Sequence, residues 1–279
     1  MITNLFSVDL EDWFTPLHLT KDLSEELLKQ NEIRVEKSTL KLLDLLDNKQ
    51  VKATFFVLGW IAKKLPDLIK EISRRGHEIG SHSYSHKLLS LMKKDEFVKE
   101  IEHSLEAINF AINKPVKGFR APCFSVTNKN LWVFDVLNRY GFVYDSSVFP
   151  FGDYPDEAKN QTEQNFFHLK NGLIEFPIKA VKFGVVTIPY GGGGYFRLYP
   201  YSFFKKKAEE LNSKGKIFNF YIHPWEIDET QPKLKIKPIA KFKHYLNLEK
   251  TYSRLNQLLD DFCFSPFEDY IHNNIKRIK

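Results

Sequence analysis

Short apolar segments alternate with longer amphipathic ones along most of this chain, and this alternation restricts the fold more than any other feature. The predicted strands cover 5–10, 52–58, 77–81, 116–120, 142–144, 173–178 and 217–222. The predicted helices cover 36–48, 66–76, 95–112, 130–140, 201–213 and 248–262. Strands that alternate with helices favour parallel pairing through right-handed crossovers. About seven such units predict an α/β fold with a closed or nearly closed barrel.

Two stretches interrupt the rhythm and are predicted to be loop insertions, near 150–170 and 185–200. The second contains four consecutive glycines, Gly191 to Gly194. This run lacks the Lys-Ser/Thr pair of a phosphate-binding loop, so a loop at the mouth of a site is favoured. No repeat, low-complexity segment or linker is visible, so we expect one domain over residues 1–279.

Charge and cysteine content argue against several classes of protein. The formal net charge is +6, but the lysines are scattered, which is typical of solvated faces rather than of a nucleic-acid surface. The two cysteines form no CxxC pair and no disulfide framework. We see no secretory signal and no apolar run of about 18 residues, so we expect a cytoplasmic location.

The segment HEIGSHSYSH at 77–86 contains two histidines four residues apart, His82 and His86. Such a pair can face one metal ion if the segment is helical or turns tightly. Catalytic zinc sites use three protein ligands and keep one position open for water. A third ligand, a histidine or a carboxylate, is therefore expected elsewhere in the chain.

Candidates for the third ligand follow the first predicted strand, where Asp9, Glu11 and Asp12 are clustered. Like charges raise one another's pKa, so such a cluster needs a cation or hydrogen-bond donors. Side chains two apart on a strand share a face, which pairs Asp9 with Glu11. A turn after Leu10 would deliver Asp12 instead. Taken without the histidines, the cluster is typical of an exposed turn or a helix N-cap.

The motifs taken together resemble the NodB-type polysaccharide deacetylases (carbohydrate esterase family 4). They are most similar to the branch associated with bacterial exopolysaccharide biosynthesis. The similar segments are SVDLEDWF at 7–14, HEIGSHSYSH at 77–86, FRAPCFS at 119–125, YDSSVFP at 144–150 and YGGGGYFRLYPY at 190–201. The resemblance covers nearly the whole chain. It implies a distorted (β/α)7 barrel and an Asp–His–His metal site.

The resemblance also implies roles for individual residues. Asp9 corresponds to the general base, His82 and His86 to the metal histidines, Arg120 to the arginine that orients the base, and His223 to the general acid. A carboxyl base and a histidine acid suit amide hydrolysis near neutral pH.

Several assignments stay open where this chain departs from the family pattern. Aspartate is the family's usual ligand, so Asp12 is favoured as the third ligand, with Glu11 as the alternative. Asp145 either tunes the acidic histidine or caps a turn. The metal is expected to be Zn²⁺, although Co²⁺, Ni²⁺ or Mn²⁺ suit the same ligands.

The glycine-rich segment and the residues after His223 provide candidates for substrate binding. Tyr190, Tyr195 and Trp225 are candidates for stacking on sugar rings. Gly193 would let the backbone approach the sugar, and Arg197 would meet a substrate anion.

The predicted activity is removal of N-acetyl groups from an amino sugar in a polysaccharide or in its biosynthetic intermediate. The expected partner is an N-acetylated glycan, with no nucleic acid and with peripheral contact to membrane-bound polysaccharide machinery. One alternative is hydrolysis of another linear amide on the same fold. Another is a non-catalytic glycan-binding member of a polysaccharide assembly system.

Overall fold

The computed structural model describes residues 2–16, 32–234 and 236–275. Its strands are β1 (Thr3–Leu10), β2 (Thr54–Val57), β3 (Glu78–Ser81), β4 (Gly118–Phe119), β5 (Tyr144–Asp145), β6 (Phe167–His168), β7 (Ile174–Glu175), β8 (Lys179–Phe183), β9 (Val186–Tyr190), β10 (Asn219–Ile222) and β11 (Cys263–Ser265). Its helices are α1 (Val35–Asn48), α2 (Gly59–Lys64), α3 (Pro66–Arg74), α4 (Lys94–Ile112), α5 (Trp132–Arg139), α6 (Gly193–Leu198), α7 (Tyr201–Asn212), α8 (Pro238–Tyr245), α9 (Leu248–Asp261) and α10 (Phe267–Asn274). Short 3₁₀ turns cover Leu89–Leu91, Pro122–Phe124, Asp156–Ala158 and Pro224–Ile227.

One curled sheet organises the molecule, with strand order β10-β1-β2-β3-β4-β5-β7-β6 and with β11 also paired to β1. Every pairing in it is parallel except that of β6 with β7. Parallel strands bring their carboxyl ends to one rim, and in barrels of this kind that rim carries the chemistry. The ends of β1, β3, β4 and β10 therefore meet around one opening.

The period of two along β1 decides which side chains enter the barrel and which pack under the helices. Phe6 and Val8 are buried in the large core that the helices cover, whereas Leu5 belongs to a separate interior cluster. Ser7 and Asp9 share the phase of Leu5 and continue that face towards the rim. The interior below them is filled by aromatic rings, including Phe267 of α10, whose ring stacks on Tyr144 at 5.1 Å.

The structure corrects the expectation that 185–200 is only loop. This segment contains strand β9, which forms a hairpin with the preceding antiparallel strand β8, and helix α6. The other expected insertion is largely irregular, with a 3₁₀ turn at Asp156–Ala158 and strand β6. No helix in the described part of the chain is long and apolar enough to cross a membrane.

Candidate active site

The metal-binding candidates are assembled from the ends of β1 and β3. Glu11 directly follows β1 in the same phase as Asp9, and both carboxylates are buried at 3% exposure. Ligand atoms of Glu11, His82 and His86 all lie within 4.8 Å of one another. Glu11 Oε1 is 3.2 Å from His82 Nε2 and 2.9 Å from His86 Nε2. Two imidazole nitrogens and one carboxylate match the ligand set of a catalytic zinc site.

The HSYSH segment holds its histidines in a turn, not in a helix. Ser83 and His86 both adopt left-handed backbone conformations, with φ of 65° and 62°. Glu100 of α4 fixes this turn, because its carboxylate accepts hydrogen bonds from the backbone N–H groups of Tyr84 and Ser85 and from the hydroxyls of Ser83 and Ser85. The preorganised turn lets side chains four residues apart converge without helical geometry.

Two further observations fit a metal ion at this cluster. His82 Nδ1 hydrogen-bonds to the backbone carbonyl oxygen of Arg120 at 2.7 Å, which leaves Nε2 directed at the cluster. The 2.9 Å contact of the buried His86 Nε2 with Glu11 Oε1 lies outside hydrogen-bond geometry, and the described residues give this nitrogen no other partner. Burial alone would raise the pKa of Glu11, but His86, His223 and His82 outweigh it and hold that pKa well below its usual range.

The preference for Asp12 as the third ligand is wrong in this structure. One carboxylate oxygen of Asp12 accepts the backbone N–H of Trp13, and the other accepts those of Arg34 and Val35 at the start of α1. Burial raises the pKa of Asp12 to about 6, although these three donors oppose the rise. Asp12 therefore ties the end of β1 to α1, and Glu11 stands beside the histidines.

Arg120 contacts Asp9 as expected, through one nitrogen. Its Nη1 donates to Asp9 Oδ1 at 2.7 Å and to the hydroxyl of Ser7. Its Nε and Nη2 donate to the backbone carbonyl and hydroxyl of Ser146. The guanidinium is fully buried and lies 4.3 Å from the centroid of the Phe56 ring. A cation held this rigidly fixes the direction of the Asp9 carboxylate.

His223 lies at the end of β10 and faces the metal candidates, with its Nε2 3.7 Å from Glu11 Oε1. Its Nδ1 is 3.0 Å from Glu226 Oε2, which also accepts the His223 backbone N–H. Burial alone would lower the pKa of His223, but the charges of Glu11 and Glu226 raise it to about 9. The imidazole therefore favours its protonated form.

Glu226 was not identified from the sequence, and it performs the tuning assigned to Asp145. Asp145 is fully buried elsewhere, where it accepts the hydroxyl and backbone N–H of Ser147 and shares a hydrogen bond with Glu175. Burial raises the pKa of both carboxyls in that pair. Asp145 thus shapes the turn after β5, which was the alternative interpretation of this residue.

Arg197 holds Glu226 and does not reach for a substrate anion. Its Nε donates to Glu226 Oε1 at 2.9 Å, and its other nitrogens donate to the carbonyls of Lys243, His244 and Leu246. The side chain is 2% exposed where it borders the cleft, and four of its five N–H donors bind groups inside the protein.

Two other substrate-binding candidates are also corrected. Tyr190 is fully buried, stacks on Phe204 at 4.3 Å and donates its hydroxyl to the Phe204 carbonyl. The Glu226 carboxylate lies directly against Gly193 and occupies the space that a Cβ on this residue would need. The lack of a side chain at Gly193 makes room for Glu226, whereas the exposed Gly194 lines the cleft.

A cleft of about 470 Å³ opens over these groups. Asp9, Glu11, His82, His86 and His223 lie along one part of it, and its lining also includes Phe124, Tyr195, Leu198, Trp225, Phe242 and Leu246. Tyr195 is half-buried in this wall. Trp225 is 4% exposed and stacks on both His223 and His244, so it supports the acid and offers no open face to a sugar.

Backbone strain marks one wall of the cleft. Cys123 and Phe124, which follow the RAP segment, adopt φ of 52° and 53°, a region that costs non-glycine residues energy. Phe124 stacks on Phe149 and contacts the Tyr221 ring. These contacts hold the Phe124 ring in the wall of the cleft. The FRAPCFS motif was the feature of the sequence that indicated this wall.

Two family models match successive parts of the chain. Residues 28–145 match the family model described as polysaccharide deacetylase, and residues 146–272 match a model described as a domain of unknown function, DUF3473. A peptidoglycan-N-acetylglucosamine deacetylase of Bacillus cereus is 33% identical over 46% of this chain and 50% of its own length. The chain spans half or less of the length of the first curated relatives it matches.

Solved structures share the fold at low sequence identity. A Mycobacterium smegmatis protein assigned as a polysaccharide deacetylase superposes with a TM-score of 0.62 at 21% identity, covering 96% of this chain and 88% of that one. A CE4 family pseudoenzyme from Bacillus anthracis gives a TM-score of 0.50 at 13% identity, over 96% and 64%. The distorted (β/α)7 fold is confirmed, and the comparisons together support the polysaccharide deacetylase family.

Proposed function

We propose that this protein is a metal-dependent carbohydrate N-deacetylase. The observation that carries the proposal is the convergence of Glu11, His82 and His86 in one cleft with a carboxylate base and a histidine acid. Several relatives that match by sequence are named as deacetylases of peptidoglycan, chitin or chitooligosaccharide. Because a family pseudoenzyme shares the fold, the case rests on the site residues and not on the fold.

Glu11, His82 and His86 would hold the metal, for which we propose Zn²⁺. When bound, such an ion lowers the pKa of a water molecule to about 7 and polarises a carbonyl oxygen. Three protein ligands would leave one coordination position for water. The same donor set accepts Co²⁺, Ni²⁺ or Mn²⁺, so the identity of the metal is a matter for measurement.

Asp9 and His223 divide the proton transfers between them. Asp9 is held by Arg120 in a fixed direction and would accept the proton of the attacking water. The charges of Glu11 and Glu226 raise the pKa of His223, which would donate a proton to the leaving amine. This separation of an acid from a base suits hydrolysis of an amide, whose amine leaves poorly without a proton.

The substrate we propose is an N-acetylated amino sugar within a polysaccharide or its biosynthetic intermediate. Tyr195 and Phe124 supply aromatic surface beside the acid–base pair, which suits the apolar face of a sugar ring. The similarity of the YDSSVFP and YGGGGYFRLYPY segments to the exopolysaccharide branch supports that origin for the glycan.

The test is acetate release from N-acetylated oligosaccharides by metal-free and metal-reloaded protein. We expect activity to need about one divalent ion per chain, and Asp9→Asn and His223→Ala each to lower kcat at least 100-fold. His272→Ala, at an exposed position on α10, is the matched control and should leave kcat unchanged.

Two outcomes would contradict the proposal. Full activity of the metal-free protein would exclude the metal-dependent mechanism. Turnover of small formamides or ureides without acetate release from sugars would favour the other-amide hypothesis, and sugar binding without turnover of any amide would favour the glycan-binding one.

A further inference from the structure

The hairpin formed by β8 and β9 has an apolar tip that projects into solvent. Phe183, Val185 and Val186 are 60%, 103% and 56% exposed. Phe183 pairs with Val186, so Gly184 and Val185 form a two-residue turn in which Gly184 has a φ of 60°. Two-residue hairpin turns normally carry Gly, Asn, Asp or Ser, because these residues suit the backbone conformation of the turn. That conformation gives no reason for a valine at the exposed position 185. The apolar residues here therefore call for an explanation through contact with something outside the protein.

A basic cavity lies at the base of the same hairpin. Its volume is about 420 Å³, and its lining includes five lysines and two glutamates. The lysines are Lys179, Lys182, Lys207, Lys214 and Lys216. Lys207 and Lys216 form ion pairs with Glu210 and Glu163, so the excess positive charge of the lining comes from the other three. Lys179 is 3% exposed and donates to the backbone carbonyls of Thr162 and Gln164, and burial lowers its pKa to about 7. An anion in this cavity would favour the charged form of Lys179.

The tip and the cavity form one continuous surface. The Phe183 ring contacts the Phe203 ring at 5.5 Å, and Lys207, which lines the cavity, lies 5.9 Å from the centroid of Phe203. On its other side Phe203 contacts Tyr199, which stacks on Tyr195 in the cleft wall. An aromatic path therefore runs from the hairpin tip to the candidate active site.

We infer that the hairpin and its basic cavity form a docking surface for an anionic phospholipid bilayer. Exposed apolar side chains beside several lysines are the combination that binds such a surface, by insertion of the tip and by attraction to the headgroups. The aromatic path would then place the cleft entrance next to the lipid, where a membrane-associated glycan could enter it. The inference concerns a surface outside the proposed active site and does not depend on the deacetylase assignment.

The test is sedimentation of the full chain with vesicles of phosphatidylglycerol and phosphatidylcholine, compared with vesicles of phosphatidylcholine alone. We expect binding only to the anionic vesicles, weakened by high salt. Combined Phe183→Ser, Val185→Ser and Val186→Thr should lower the partition coefficient roughly tenfold or more. Combined Lys182→Gln and Lys214→Gln should lower it about 25-fold, since each lysine near the surface contributes about fivefold.

Phe110→Ser is the matched control, because Phe110 is 78% exposed on α4 and lies outside the docking surface. Its binding should equal that of the unmodified protein. Val185→Trp supplies a second readout that keeps the hairpin intact, a blue shift of tryptophan fluorescence on addition of anionic vesicles. Absence of binding to anionic vesicles, equal binding to neutral ones, or hairpin variants that bind like the Phe110 control would overturn the inference. Val185→Trp fluorescence unchanged by anionic vesicles would overturn it as well.

Discussion

Glu11→Gln and Asp12→Asn form the most informative pair of variants, because the two acids are adjacent and only one stands beside the histidines. Glu11→Gln replaces a carboxylate ligand with a weakly coordinating amide. A metal-bound water and a polarised carbonyl contribute several kcal/mol to transition-state stabilisation. A loss of about 4 kcal/mol corresponds to about a 10³-fold fall in kcat/KM at 1.36 kcal/mol per tenfold.

Asp12→Asn should act on stability and leave the metal in place. The carboxylate accepts three backbone N–H groups through two oxygens, and the amide has only one oxygen to offer. A buried donor left without its acceptor costs about 1–3 kcal/mol, and relief of a buried charge offsets part of that. We expect a lower Tm, unchanged metal content and kcat/KM within about threefold of the parent, since the Asp12 carboxylate is hydrogen-bonded to Trp13, Arg34 and Val35.

The assay combines metal content after dialysis, acetate release and thermal unfolding on both variants. Our interpretation predicts that Glu11→Gln loses metal and activity, while Asp12→Asn loses only stability. The reverse pattern, with metal lost from Asp12→Asn and kept by Glu11→Gln, would refute the ligand set.

Two further predictions concern the residues around the acid. Glu226→Gln should cost about 3–5 kcal/mol, because it leaves the buried Arg197 charge unpaired. Glu226 raises the pKa of His223, and the protonated acid is present below that pKa and lost above it. In Glu226→Gln the alkaline limb of the kcat/KM profile should therefore move to lower pH. An alkaline limb that does not move would contradict this role of Glu226. Gly193→Ala should lower stability by about 1–3 kcal/mol, because its Cβ would overlap the Glu226 carboxylate. Gly194→Ala, with open space around its Cβ position, is the control, and equal Tm values for the two would refute the packing argument.

The choice between neighbouring acids shows where inference from sequence stopped. Strand alternation predicts that the side chains of Asp9 and Glu11 lie on the same face, and the structure places both on the face that leads to the cleft. The family pattern favoured an aspartate and so favoured Asp12. Only the position of α1, whose first N–H groups point at Asp12, shows that this carboxylate is already used.

The partner of the acid histidine shows the same limit. Asp145 was a candidate because its motif resembles the family's, but its place beside Glu175 depends on how β5 and β7 pair. Glu226 follows His223 by three residues, and a 3₁₀ turn brings its carboxylate back to the imidazole. Pro224 and a glutamate three residues after His223 are local signals of such a capped turn, but the sequence does not indicate that the distant Arg197 holds the carboxylate.

The sequence alone predicted the order of the main strands and helices of the barrel, the rim on which the polar motifs lie and the two candidate histidines, because these follow from local periodicity and from residue chemistry. The tertiary structure decided which carboxylate joins the histidines, which acid tunes His223, and that Tyr190, Gly193 and Arg197 support the site from inside the protein. It also showed that the segment predicted to be loop contains strand β9 of an exposed hairpin. The ligand set and the burial of Tyr190, Gly193 and Arg197 depend on contacts between residues far apart in the chain, and the spacing of residues along the sequence does not encode such contacts directly.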